Sequence, residues 1–207
     1  MSTAVIVAGG RSTRFGDRDK VVADLAGTPM IRRVADRLAR VCDRVVINCR
    51  PDQRDAIDEV VDDLAVPVSF AVDPEPDQGP VAGIRTGLRA VESEYAVVVA
   101  ADMPFVDPGF VAHLFDRAVD HDAAIPRPGE WYQPMQAVYR ATAMAEACDV
   151  ALAASDDGEP RVLAPVFELD YVVVDREEIE AHTTPETFEN VNTVEELHAA
   201  AERLGGE

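Results

Sequence analysis

The chain has 207 residues and a mass of 22.4 kDa, of which 47% are hydrophobic and 28% charged, enough apolar material for a sizeable core in one domain. Thirty-nine Asp and Glu against 19 Lys and Arg leave a formal net charge of −20, which excludes the basic surface that double-stranded nucleic acid requires. No apolar run reaches the roughly 18 residues of a membrane span, and no basic stretch precedes the first apolar one, so a cytoplasmic protein without membrane contact is expected.

Taken in chain order, Thr3 to Ala8 is an apolar, β-branched run that stops at Gly9-Gly10, as a buried strand does where it leaves a sheet. Pro29 opens an amphipathic helix with Ile31, Val34, Ala35 and Leu38 on one face. Arg44 to Cys49 reads as a strand, Arg54 to Asp63 as a helix, Val68 to Val72 as a strand and Val81 to Val91 as a helix. Tyr95 to Ala101 is so continuously hydrophobic that it predicts a strand covered on both faces. Alternating strands and helices imply an α/β fold with a mostly parallel sheet between helical layers, and ligands in such folds sit beyond the carboxyl ends of the strands. The second half predicts a helix over Phe110 to Val119, strands at Ala123 to Ile125 and Met135 to Tyr139, and a helix within Ala141 to Ala154. Strands are also expected at Tyr171 to Val174 and Phe188 to Val191. A last helix runs over Thr193 to Leu204, with Thr193 and Glu196 spaced as a capping box.

The acidic excess runs along the whole chain and suits a halophilic cytoplasm, where salt screens self-repulsion and carboxylates hold hydration. Cys42, Cys49 and Cys148 form no close pair and are expected as reduced, structural thiols; the four histidines lack metal-binding spacing. Eighteen cations are arginine and one is lysine, Lys20. An ammonium acts as a compact point charge on phosphate where a planar guanidinium does not fit.

Lys20 closes the segment Ala8-Gly9-Gly10-Arg11-Ser12-Thr13-Arg14-Phe15-Gly16-Asp17-Arg18-Asp19-Lys20, in which three glycines accompany three arginines directly after the first strand. Glycines let backbone N–H groups approach phosphate oxygens and the cations offset their charge, so an anion site is expected, of neither the Walker A nor the GxGxxG type. Asp102 follows the most hydrophobic strand, a position that suits either a Mg²⁺ ligand shared with substrate phosphates or a helix N-cap. Gly79-Pro80-Val81-Ala82-Gly83 is a ligand-approaching turn or a plain turn. Asn48 and Asp73 end their strands as base or ribose contacts or as turn formers. Asn190 and Asn192 lie one strand repeat apart, and Asn192 alternatively shapes the start of the last helix.

These motifs, with Asp102-Met103-Pro104 and Asn190-Val191-Asn192-Thr193, occur in an order and spacing that resemble the molybdenum cofactor guanylyltransferases, the MobA-like nucleotidyltransferases, over essentially the whole chain. The resemblance implies a three-layer α/β/α Rossmann-like nucleotidyltransferase fold, with one domain over 1–207, nucleotide binding in about 1–105 and acceptor binding in about 106–207. It implies transfer of GMP from Mg²⁺-bound GTP to the phosphate of molybdopterin, with release of pyrophosphate and formation of the guanine dinucleotide cofactor. Val7, Ala8 and Gly9 would contact the nucleotide through backbone, with Gly10 and Gly79 beside them; Lys20 would hold its phosphates with Arg14 assisting, and Asn48 and Asp73 its nucleoside. Asp102 would be the Mg²⁺ ligand, and Asn190 and Asn192 would lie near the acceptor. Transient contact with other molybdenum-cofactor proteins is a further implication.

Two departures from the family pattern fall on the pterin side: Ala101 where a cysteine is common, and Gln133 where a histidine often precedes the proline. Competing readings are an adenosylcobinamide-phosphate guanylyltransferase and a CTP- or sugar-phosphate-using nucleotidyltransferase of the same architecture. From a different class comes a catalytically inert nucleotide-binding regulatory domain, against which the joint presence of Lys20 and Asp102 counts.

Overall fold

In the computed structural model, which describes residues 1–10, 20–75, 77–155 and 159–205, β1 (Thr3–Val7) lies in the middle of the sheet. Arg14 and its neighbours in 11–19 lie outside the described residues. Lys20–Val22 make a 3-10 turn, followed by a short hairpin of β2 (Asp24–Leu25) and β3 (Thr28–Pro29) and then by α1 (Met30–Leu38). Next come β4 (Arg44–Cys49), α2 (Arg54–Val61), β5 (Val68–Val72), α3 (Gly79–Arg89) and β6 (Tyr95–Ala100). The remainder is α4 (Pro108–Ala118), β7 (Ala123–Pro126), β8 (Gln136–Arg140), α5 (Ala141–Ala153), α6 (Leu163–Val166), β9 (Tyr171–Val174), α7 (Arg176–His182) and α8 (Val194–Gly205).

Among the described residues seven strands form one sheet in the order β5-β4-β1-β6-β8-β7-β9, in which β8 alone runs against its neighbours. The expected mostly parallel sheet is therefore present. Chain direction in the sheet reverses at β1: the first crossovers lead outward to β4 and β5, and the next returns to β6 on the other side. A crevice opens at such a reversal, outside the carboxyl ends of the strands. Register fixes its floor, since Val7 stands opposite both Asn48 and Ala100.

Side-chain alternation along the central strands builds two cores. Ala4, Ile6, Val45, Ile47, Val97 and Val99 face α1, α2, α4 and α7 through Ile31, Ile57, Phe110 and Ile179. Val5, Val46, Ala96 and Val98 face α3, α5 and α6 through Ile84, Met144 and Val166. Each fully buried Val or Ile contributes roughly 1.5–3 kcal/mol, so the strands that carry the crevice are the best anchored part of the chain. A third, smaller cluster packs Leu197 and Ala200 of α8 against Leu25, Met30 and Phe105. All three cysteines are buried and free, with burial pushing the Cys42 and Cys148 thiols up to about 12 and Cys49 to about 11, in keeping with structural thiols. Among the described residues no helix is long and apolar enough to cross a membrane.

The elements differ from expectation in three respects. Helix α3 starts at Gly79 and not at Val81, because Pro80 fits a first helical turn and Gly79, at φ 78°, turns the chain into it. The expected strand at Phe188 to Val191 is absent: Pro185–Phe188 form a 3-10 turn, and the chain then crosses above the end of β6, where no strand continues to pair with it. Val191 N donates to Asp102 O at 2.9 Å as its one backbone bond to that rim. Finally, α6, α7 and the β2–β3 hairpin carry no strong periodicity. The hairpin turns on Ala26 and Gly27, both at positive φ, and α7 is capped by Asp175 accepting from Glu178 N.

Helix α3 lies unusually close to the sheet. A Cβ at Gly87 would stand 2.5 Å from Val5 Cγ1, inside a packed core. Gly87→Ala should therefore destabilise the protein by about 1–3 kcal/mol despite alanine's better helix propensity, as read by denaturant unfolding. An unchanged or raised midpoint would show that α3 can lift from β1 at no cost.

Candidate functional site

A cavity of about 650 Å³ opens over the carboxyl ends of β1, β4 and β6. Val7, Ala8, Gly9, Gly10, Lys20, Asn48, Asp73, Gly79, Asp102 and Asn192 all line it. The first glycine turn and the carboxylate at 102 thus face one shared space.

The turn after β1 is held from behind. Ala8 N donates to Asn48 O at 2.9 Å, and Gln53 Nε2 donates to Ala8 O at 3.0 Å. The Arg50 guanidinium donates to Gly9 O and Gly10 O at 3.1 and 2.9 Å. With these carbonyls tied to Arg50 and Gln53, the Gly9 and Gly10 amides meet no acceptor among the described residues and remain available to an anion. Gly9 is required by contact, since its Cβ would stand 2.9 Å from Asp73 Oδ2; around Gly10 the space is open.

Beside the turn, Asn48 is buried beneath α3. Its Nδ2 donates to Ala71 O at 3.0 Å and to Asp73 Oδ1 at 2.7 Å, which fixes the amide orientation and aims Oδ1 at Gly83. That oxygen has no hydrogen-bond partner among the described residues. Gly83 is therefore part of a flat helix face: a Cβ there would stand 2.5 Å from Asn48 Oδ1. Gly79 meets the Glu159 carboxylate in the same way, at 2.6 Å. The Gly79–Gly83 segment is not a plain turn: it is the first turn of a helix, and Gly79, Pro80, Ala82 and Gly83 line the cavity.

Across the cavity Lys20 Nζ donates to Asp102 Oδ2 at 2.6 Å and to Asn192 Oδ1 at 2.8 Å. Asn190 Nδ2 donates to Asp102 Oδ1 at 3.2 Å. The ion pair is sheltered, with side-chain exposures of 12% and 17%. Asp102 caps no helix; the cap of α4 is Asp107, which accepts from the Gly109 and Phe110 amides. Asn190 and Asn192 reach the site from an irregular segment, not from a strand end. The expected capping box of α8 is present, with Glu196 N donating to Thr193 Oγ1 and Thr193 N to Glu196 Oε2, both at 3.1 Å.

The oxygens at this corner are hard, the Asp102 carboxylate and the Asn192 amide carbonyl, which fits Mg²⁺ arriving with phosphate and water oxygens. Among the described residues no three His, Cys, Asp or Glu side chains converge into a metal cage. Sequence reasoning missed Arg50, Gln53, Met135 and Glu159 at this site. An arginine directly after β4 and before Pro51 was the available signal for Arg50, whereas Met135 and Glu159 enter only by folding of distant segments.

The profile of the MobA-like NTP transferase domain matches residues 4–170. The chain is 52% identical to a protein of Natronomonas pharaonis named probable molybdenum cofactor guanylyltransferase, over 98% of either chain. It is 41% identical to a protein of the same name from Haloferax mediterranei, over 96% of this chain and 92% of the other. Among solved structures, the molybdopterin-guanine dinucleotide biosynthesis protein A of Archaeoglobus fulgidus superposes with a TM-score of 0.79 at 25% identity, over the full length of both chains. A 4-diphosphocytidyl-2C-methyl-D-erythritol synthase of Anaerococcus prevotii, at TM-score 0.75, 15% identity and 99% and 98% coverage, shares the fold.

Arg50→Ala would leave the Gly9 and Gly10 carbonyls without their charged donor. We expect a loss of about 1.5–3 kcal/mol in urea unfolding, together with weaker nucleotide binding by titration calorimetry. Wild-type values in both would show that the turn holds its shape unaided.

Proposed function

The chain belongs to the MobA-like NTP transferase family, and from that premise we propose that it transfers GMP from GTP to the phosphate of molybdopterin, releasing pyrophosphate and forming the guanine dinucleotide cofactor. The observation that carries this reading is the convergence of Lys20, Asp102 and Asn192 on one cavity with the Gly9-Gly10 turn. We assign the nucleotide to the 1–105 part and the acceptor largely to the 106–207 part.

In this reading the turn amides and Lys20 bind the triphosphate. Two of the three Lys20 N–H donors are engaged with Asp102 and Asn192, which leaves one for a phosphate oxygen. As charge builds on the departing pyrophosphate, Lys20 stabilises it, with Arg14 assisting. The acceptor phosphate is already anionic near neutral pH and attacks the α-phosphorus in line, so no strong general base is needed. What the protein must do is hold two like-charged groups together. Asp73 keeps one carboxylate oxygen beyond its bond to Asn48, an acceptor for one donor of the nucleoside. Asp102 would hold Mg²⁺, with the Asn192 carbonyl beside it. When bound, the ion supplies neutralisation of phosphate charge. Asn190 and Asn192, joined to Asp102 and Lys20, bring the acceptor to the same corner.

Incubation with each of the four nucleoside triphosphates, Mg²⁺ and either molybdopterin or adenosylcobinamide phosphate, with products identified by mass, tests the reading. Molybdopterin guanine dinucleotide and pyrophosphate are expected from GTP. A product with another base or only with the corrinoid would replace the assignment, and no pyrophosphate with any pair would indicate an inert binder. Lys20→Ala and Asp102→Ala should each abolish turnover, by at least about a thousandfold, while circular dichroism shows an intact fold. Near-wild-type turnover in either variant would remove that residue from the mechanism.

A further inference from the structure

The loop from Arg127 to Met135 joins β7 to β8 on the carboxyl rim of the sheet. It is anchored at both ends. Gln133 N donates to Pro126 O at 2.8 Å, closing the loop at its neck, and Ala100 N donates to Met135 O at 3.1 Å, tying the loop to the end of β6 two residues before Asp102. Met135 itself lines the cavity. Tyr132 packs edge-on against Phe167 and Tyr171, with ring centroids 5.9 and 6.1 Å away, and the Arg127 guanidinium covers its ring at 5.5 Å.

Against that fixed frame two side chains stand out. Trp131, the one tryptophan of the chain, is 75% exposed and has neither a ring contact nor a hydrogen bond among the described residues. Arg127 has no carboxylate partner among them, although the chain carries 39 acidic residues. A large indole on a loop tied at both ends loses little conformational entropy when a flat ligand covers it, and a guanidinium without a carboxylate partner on the same loop favours a ligand that is also anionic. Nucleobases are held this way on exposed aromatic rings.

We propose that Trp131 is a specificity-determining residue on which the fused heterocycle of the acceptor stacks, with Arg127 attracting its anionic substituent. The identity of the acceptor rests on the guanylyl-transfer reading; the aromatic platform does not.

Because Trp131 is the only indole, its emission reports on the platform directly. Titration of the full chain with neopterin monophosphate should quench that emission saturably, and Arg127→Ala should weaken the apparent affinity about fivefold. Absence of saturable quenching would overturn the proposal. In steady-state assays Trp131→Ala should raise the KM for molybdopterin about tenfold with a much smaller change in kcat, and Trp131→Phe should recover most of the loss. An acceptor KM unchanged in Trp131→Ala, or a loss confined to kcat, would overturn it as well. If the wild-type chain releases no pyrophosphate from GTP with molybdopterin but the pterin phosphate still quenches saturably, the transfer reading fails and the platform stands.

Discussion

The ion pair between Lys20 and Asp102 holds the two sides of the crevice to each other. Its members are 82 residues apart and come from opposite walls, one from the segment after β1 and the other from just beyond β6. Shielding from solvent makes the pair consequential, because removing either partner strands a partly buried charge. The same ammonium reaches Asn192, and the same carboxylate accepts from Asn190, so one charge pair gathers the beginning, middle and end of the chain. These groups hold one another in the free protein, while the third Lys20 N–H and the Gly9 and Gly10 amides are left to meet an entering anion.

The scaffold makes this corner stiff. Val7, Asn48 and Ala100 form a transverse rung, and the residues that follow them emerge together over the strand ends. Behind the rung, α3 approaches through Gly83 and Gly87 to a distance at which no Cβ fits. Close packing of that kind fixes the Asn48 amide and, through it, the Asp73 carboxylate. Arg50 and Gln53 do the same for the turn carbonyls, so the anion-facing amides are positioned by side chains that need never touch a ligand.

Local sequence carried a good part of this. The strands that build the crevice announce themselves by continuous apolar runs that end at Gly9-Gly10, Asn48 and Asp102, and a residue at the end of a buried strand has few places to go. Lys20 was visible as the only lysine among eighteen arginines. What local pattern could not convey is approach between distant segments. Why residue 83 is glycine was not legible locally, because the reason lies across the layer, in Asn48 and Val7. The four-residue run at 188–191 looked like a strand because its apolar content is spent on two different neighbours, Phe188 in the main core and Val191 in the small cluster with α8. Asn190 in that run and Asn192 just after it nevertheless reach Asp102 and Lys20, by one backbone bond from Val191 and two side-chain bonds, without any sheet.

The small cluster beneath α8 couples that helix to the cavity. Leu197 and Ala200 pack on the hairpin and first helix that follow the glycine turn, and the capping box starts α8 one residue after Asn192. Helix α8 is thus the brace that seats both asparagines, so contacts as remote as those of Leu25 and Met30 bear on the geometry around Asp102.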